Sequence, residues 1–350
     1  MARVLRLYGV LLLLLISSCS RTSDSWPGRN WKTSSHDKQG FSEERLAAIG
    51  PYISKKYPGT SSVLVIHSGY IIYERYFEGD KDTLHDLSSA AKSIVSALTG
   101  IVINQNLITD VNEKLVALWP ELKTRNLNPN VRNISIRHLL SMRSGLNESI
   151  DTNYEPEDMM EMLESPAHLP PGEVFSYDNN CAQLISIIIA EQSDMIMDEF
   201  AEEQVFRKIG IRDYQWLRLY GITSASGLYL TSRDFARFGY LYLKKGLWKG
   251  EQIVPAAWIE ESMNLQRKRS TSSPLPDAIQ GYGYFWFILN IEGYKGYAAY
   301  GSGGEYLFVF PELDLLAVIT GERDFALLFE HIPVVEEFII PAVLSKTLSN

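Results

Sequence analysis

Ser89 and Lys92 stand three residues apart in DLSSAAKSIVSALTG (residues 86–100), in front of an apolar helical run. Residues at i and i+3 share a helix face, so a hydroxyl and an amine can meet there. A hydroxyl is a poor nucleophile until a base takes its proton, and a lysine desolvated against an apolar core can serve as that base. Backbone N–H groups at a helix N-terminus can also stabilise an oxyanion. The competing account is a capping serine beside an unrelated lysine. Spacing alone is a weak signal, because a chain of this composition holds roughly one or two such pairs by chance. Ser35 and Lys38 are another pair, in a polar stretch, and we assign them no chemistry.

Further along, PPGEVFSYDNNCAQLI contains the only Tyr-x-Asn of the chain, Tyr177 to Asn179. A phenol both donates and accepts, so Tyr177 can relay a proton, and the Asn179 amide can orient a substrate carbonyl. Near the end, the glycine cluster of AAYGSGGEYLFVF precedes a long apolar strand. Glycine beside a strand lets another backbone approach. This makes the Ser302 amide, flanked by Gly301 and Gly303, a candidate second oxyanion donor.

The elements that must position these residues follow from periodicity. SEERLAAIGPYISKKYPG predicts an amphipathic helix begun by Ser42 and closed by Pro58 and Gly59. SSVLVIHSGYIIYERYF predicts a hairpin with His67 solvated at its turn. The middle of the chain is predicted to be helical, strands return from about residue 280, and FALLFEHIPVVEEFIIPAVL is predicted as a closing helix. Strands at both ends around a helical middle imply an α+β fold, one sheet from both termini with an inserted helical region.

Composition removes other functions. The chain has 350 residues, a formal net charge of −9 and a pI near 5.3, without the clustered Lys and Arg that nucleic acid binding requires. There is no G-x-S-x-G elbow, H-E-x-x-H metal spacing or G-x-x-x-x-G-K-S/T phosphate loop, so neither metal nor cofactor is expected. His85, His138, His168 and His331 are scattered singly.

The N-terminus, MARVLRLYGVLLLLLISSCS, has two arginines, a short apolar run and small residues ending at Cys19. This is the layout of an export signal, and ISSC resembles a bacterial lipobox with Cys19 as the lipidated residue. Residues 1–18 are then the signal peptide, 19–40 a lipidated polar tether and 41–350 the catalytic domain. Ser20 fits outer-membrane sorting, facing the periplasm. Such a tether would reach roughly 25 Å. The remaining Cys181 is expected to be a buried packing residue.

Ser89-Ala-Ala-Lys92, Tyr177-Asp-Asn179 and YGSGGEYLFVFPELDL resemble, in order and spacing, the serine β-lactamase and penicillin-binding-protein superfamily. The nearest likeness is to its class C and esterase-like branch, which includes 6-aminohexanoate-dimer hydrolase and family VIII carboxylesterases. IRHLLSMRSGL and LPPGEVFSYDNN support it, and it runs from about residue 41 to 345. The resemblance implies Ser89 as acylated nucleophile, Lys92 as its base, Tyr177 as proton relay and the Ser89 and Ser302 amides as oxyanion hole. It also implies an antiparallel sheet flanked by helices beside a helical subdomain.

One departure matters. Relatives carry Lys-Thr-Gly or a His-containing counterpart on the late strand, whereas this chain has Ala299-Tyr300-Gly301 or, in the other register, Ser302-Gly303-Gly304. A charge-assisted hydrogen bond contributes about 1.5–3 kcal/mol, so β-lactam recognition should fall about tenfold to over a hundredfold. The expectation is a serine esterase or amidase acting through an acyl-enzyme on small, less anionic substrates, with Tyr284, Trp286, Tyr300 and Tyr306 as possible lining. A catalytically silent cell-wall or protein-binding module, and a true class C β-lactamase or D-Ala-D-Ala peptidase, stay open as alternatives.

Overall fold

The computed structural model describes residues 25–147, 154–270, 273–321 and 329–347. Its main sheet has nine strands, running in space as Lys32–Thr33, Tyr70–Tyr76, Thr60–His67, Leu315–Gly321, Glu305–Phe310, Tyr294–Gly301, Phe287–Ile291, Ile279–Tyr282 and Arg267–Lys268. All neighbours are antiparallel except the first pair. The sheet is thus assembled from both ends of the chain, as the strand pattern implied.

Local turn chemistry sets its registers. Ser68 and Gly69, both at positive φ, form the two-residue turn between Thr60–His67 and Tyr70–Tyr76, and Glu292 and Gly293 do the same between Phe287–Ile291 and Tyr294–Gly301. Paired positive φ gives the turn twist that matches twisted strands. His67 is not solvated there: Phe41 packs edge-on at 4.9 Å, Gln39 Oε1 lies 2.9 Å from Nδ1, and burial lowers the ring's pKa.

Central strands are apolar on both sides because both faces of the sheet are covered. Along Leu315–Gly321, Leu316 and Val318 face the core shared with the middle helices, while Leu315, Ala317 and Ile319 face the terminal helices. The terminal layer holds Glu43–Lys56, capped by Ser42, and the C-terminal helical run. That run starts at Ile332, passes through a wider turn at Val335–Ile339 and ends as Ile340–Thr347, so the expected closing helix is present with a π-type turn inside it.

Two further expectations require correction. The middle of the chain also contains a three-stranded sheet, Leu84–Asp86, Ile222–Thr231 and Gln215–Leu219 in the order first, second, third, which carries the chain into the Ser89 segment. Residues 25–40 are no tether. Trp31 is buried, with its Nε1 donating to Arg233 O at 3.0 Å, and buried Arg237 donates to Gly28 O and Arg29 O at 3.0 and 2.9 Å. Two tryptophans and a guanidinium binding main-chain carbonyls give this polar stretch the apolar area that its average composition concealed. The signal peptide and Cys19 lie outside the described residues; among those described, no helix is long and apolar enough to cross a membrane.

Candidate active site

The segment carrying Ser89 is pinned before it becomes a helix. Leu87 N–H donates to Leu228 O at 2.8 Å, Ala90 N–H to Leu87 O at 2.9 Å, and Ser88 N–H to Asp86 Oδ1 at 2.8 Å. Ser88 has a φ of 48°, a left-handed backbone that non-glycine residues hold only where their surroundings force it. A 3₁₀ turn, Ser88–Ala91, then runs into the helix Lys92–Asn104. Ser89 is therefore not the cap of that helix, which begins after Ala91 with no side-chain cap.

Lys92, the first helical residue, is only 2% exposed, and its Nζ donates to Ser89 Oγ at 2.7 Å. The same Nζ lies 5.4 Å from the centroid of the Tyr177 ring. Tyr177 arrives from another part of the chain, held by Ser176 N–H donating to Met142 O at 3.0 Å and by Asp178, which caps the helix Asn179–Ser193. Three side chains from two separated motifs thus meet at one point.

Asn179 does not join them. It is exposed at the start of its helix and off the cavity wall, because the capping turn at Asp178 rotates the next side chain outward. Cys181 is buried beside Ser144 Oγ at 3.2 Å, and burial pushes its thiol pKa far up, which fits a packing role.

The late strand shows which register faces Ser89. Ala299, Tyr300 and Gly301 end the strand, Gly301 pairs with Glu305, and Ser302–Gly304 form the turn. Ser302 lines the cavity together with Ser89, and its Oγ lies 3.1 Å from Ser88 Oγ. Gly301 has no room for a side chain: a Cβ would lie 2.5 Å from Leu87 O and 2.3 Å from Glu305 Oε2. Glu305 Oε2 in turn accepts the Gly303 N–H at 3.1 Å, fixing the turn from behind. Ser88 and Glu305 were missed from the sequence; the SS doublet and the acid after GSGG were the available signals.

Ser89, Tyr177 and Ser302 open onto a cavity of about 520 Å³. Phe175, Tyr282, Phe287, Tyr300 and Phe329 give it an aromatic wall. Of the four aromatic residues expected there, only Tyr300 is present. Tyr284 is engaged by Arg137 and Glu261, Trp286 packs between Phe238 and Tyr242, and Tyr306 stacks on Phe308 on the face of the terminal helices. Burial pushes the Tyr300 phenol up to about 12 and Tyr282 well above its ordinary value, so both stay neutral hydroxyls. The cavity also contains what the late strand lacks. Arg267, Lys268 and Arg269 line it from the edge strand and the residue after it, and no Asp or Glu does among the described residues. The run QRKRS was their only trace in the sequence.

Residues 44–326 match the family model described as Beta-lactamase. The chain belongs to the beta-lactamase family. Solved structures agree on its fold. A candidate 6-aminohexanoate-dimer hydrolase from Bacillus anthracis aligns at TM-score 0.70 and 22% identity over 91% of this chain and 88% of that one. A candidate β-lactamase from Bacteroides dorei aligns at 0.74 and 17% over 87% and 99%. EstCE1, described as a hydrolase with promiscuous acyltransferase activity, aligns at 0.68 and 16% over 86% and 97%.

Proposed function

We propose that the protein is a serine hydrolase that cleaves small esters or amides through an acyl-enzyme. The observation that carries this reading is the 2.7 Å contact between Lys92 Nζ and Ser89 Oγ on the wall of the cavity, with Tyr177 beside both. Acylation begins when Lys92 Nζ takes the Ser89 hydroxyl proton while Oγ bonds to the substrate carbonyl carbon. The carbonyl electron pair moves to oxygen, where the Ser89 and Ser302 amides receive it. Tyr177 carries the proton from Lys92 to the leaving oxygen or nitrogen as that bond breaks. Water then repeats the sequence on the acyl-enzyme, restoring Ser89 and releasing the acid.

Ester or amide cleavage is favoured over β-lactam cleavage because Ala299-Tyr300-Gly301 offers no cation next to the nucleophile. A β-lactam carries its carboxylate one atom from the lactam nitrogen and needs a partner there. EstCE1, described as a hydrolase with promiscuous acyltransferase activity on the same fold, is consistent with a reaction that passes through an acyl-enzyme. The test is incubation with a fluorophosphonate and with 4-nitrophenyl butyrate, comparing the parent with Ser89→Ala. Labelling and turnover confined to the parent are expected; labelling that persists in the variant, or absence in both, removes the reading. Nitrocefin turnover as fast as ester turnover would reassign the protein to the β-lactamases. We further propose that Cys19 anchors the protein to the outer membrane, which metabolic labelling with a palmitate analogue, compared with Cys19→Ala, would test.

A further inference from the structure

We propose that the cavity is a receptor for an aryl group, so that its substrates are small esters or amides carrying a benzene-type ring on a short linker from the carbonyl that Ser89 attacks. The proposal deepens the hydrolase reading and takes from it only the position of that carbonyl.

The rings of the wall form one connected ladder. It starts at Tyr177, beside Lys92 Nζ, and passes to Tyr282, with 6.3 Å between ring centroids and 79° between planes. Phe175 meets the same Tyr282 ring at 5.4 Å and 65°, and Phe287 meets it at 4.8 Å and 80°. Phe287 in turn stands edge-on to Phe329 at 4.7 Å and 74° and to Tyr300 at 6.2 Å and 80°, while Tyr300 and Phe329 stack at 29°. All six residues line the cavity. An aromatic ring is negative on its faces and positive at its edge, so rings meet edge to face or offset, and such a pair is favoured beyond the apolar area it buries. A wall of alternating edges and faces presents both signs of that pattern to whatever enters. An incoming ring can extend the ladder; a saturated group of the same shape can only fill the volume.

Much of the ladder is fixed before a ligand arrives. Tyr282, Tyr300 and Phe329 are 3%, 6% and 1% exposed, and rings held in advance lose little freedom on binding. Phe329 has a φ of 60°, a conformation that a bulky residue adopts only under constraint, and this strained backbone places its ring in the wall. A ring cluster can also be nothing more than core packing. Phe175 and Phe287 go beyond that, because both are only half-buried while lining the cavity, which leaves part of each ring for a ligand. Burial keeps the Tyr282 and Tyr300 phenols neutral, so neither becomes a phenolate that would repel a ring face. Aromatic enclosures have a second use, the capture of an alkylated ammonium by ring faces. Charge decides against it here. Three cations and no acid line the cavity among the described residues, so a cationic ligand would be repelled and a neutral aryl substrate would not. The cavity volume, about 520 Å³, lies in the range that encloses a small organic ligand.

The deciding experiment is calorimetric binding of two neutral amides, 3-phenylpropanamide and 3-cyclohexylpropanamide, to the full chain carrying Ser89→Ala. The saturated ring has the larger apolar surface, so burial alone favours it. The ladder implies the reverse, a Kd about tenfold lower for the phenyl amide, the gain expected from one or two new ring pairs. That preference should vanish in Phe287→Leu and in Phe175→Leu, which replace a wall ring by a branched chain. Phe175 touches fewer rings than Phe287, so its variant keeps the test decisive if loss of Phe287 prevents folding. Equal affinities, tighter binding of the cyclohexyl amide, no binding of either at millimolar concentration, or a phenyl preference that survives the substitutions overturns the proposal. A second arm follows kcat/KM in a pH-stat for methyl 3-phenylpropanoate against methyl 3-cyclohexylpropanoate, and for 2-phenylethyl acetate against 2-cyclohexylethyl acetate. The phenyl member should lead about tenfold, through KM, in the pair whose ring lies on the ladder's side of the carbonyl; no preference in either pair overturns the proposal. Absence of turnover for all four esters removes the hydrolase reading and leaves the binding arm to decide the aryl site.

Discussion

The two ends of the cavity are built in opposite ways. At the Ser89 end the side chains are held by one another: Lys92 with Ser89, Ser88 with Ser302 and Asp86, Glu305 with the Gly303 amide. At the edge-strand end Arg267 and Lys268 have no such partners among the described residues. Preorganisation belongs where charge develops during reaction, because donors fixed in advance need no reorganisation at that moment. An end that only recognises a ligand can leave its cations hydrated until the ligand arrives. On the hydrolase reading proposed above, the engaged end would govern kcat and the open end would act through KM.

Breaking the engaged end should have the largest effects. Ser89→Ala should lower ester turnover by more than about 1,000-fold and abolish fluorophosphonate labelling, read by mass spectrometry of the intact chain. Gly301→Ala forces a methyl group against Leu87 O and the Glu305 carboxylate, so the turn must shift. We expect about a hundredfold loss in kcat with little change in KM, the size of losing one oxyanion donor, while circular dichroism stays native. Ser88→Ala removes a single hydroxyl contact with Ser302, and a several-fold loss in kcat matches about 1 kcal/mol for one hydrogen bond. A KM-dominated effect in either of the last two would erase the proposed division between the ends.

The smallest expected effect sharpens the contrast by testing the scaffold beneath both ends. His168 Nδ1 accepts the Asn147 N–H at 3.1 Å and Nε2 lies 2.7 Å from Met162 O, which requires one neutral tautomer, and burial lowers the ring's pKa below 6.5. Burial lowers His138 in the same direction, and its Nδ1 accepts the Ser135 N–H. Below pH 6.5 the unfolded chain binds protons that the folded chain refuses, so this stability is fully present above 6.5 and lost as pH falls through the folded values. The melting temperature should drop between pH 7.5 and 5.5, and drop less in His168→Gln. Equal drops in both would remove His168 from the account.

How much of this was visible in the sequence follows the same division. Ser89 and Lys92 are neighbours through i,i+3 spacing, and the strand pairs carry paired positive-φ turns and apolar runs, so both were readable from local pattern. Asn179 misled because one N-capping residue decides which way the following side chain points, and spacing does not encode that. Tyr284, Trp286 and Tyr306 were indistinguishable from Tyr300 by composition; only register and packing separate a core ring from a lining one. Arg267 and Lys268 escaped notice because three successive strand pairings bring them to the cavity, and the short edge strand that carries them has no apolar pattern of its own. Residues 25–40 read as unstructured because Trp26 and Trp31 are diluted among polar neighbours, although both rings pack on Tyr240.

The docking of that segment has a geometric consequence. From Cys19 to Ser25, the first described residue, there are six Cα steps, which cover at most roughly 20 Å when stretched. With an acyl chain on Cys19, the body would be moored close to the lipid headgroups and unable to tumble freely. Its catalytic mouth would then sample a thin layer of periplasm beside the bilayer, and molecules released from or inserting into that surface would meet it first.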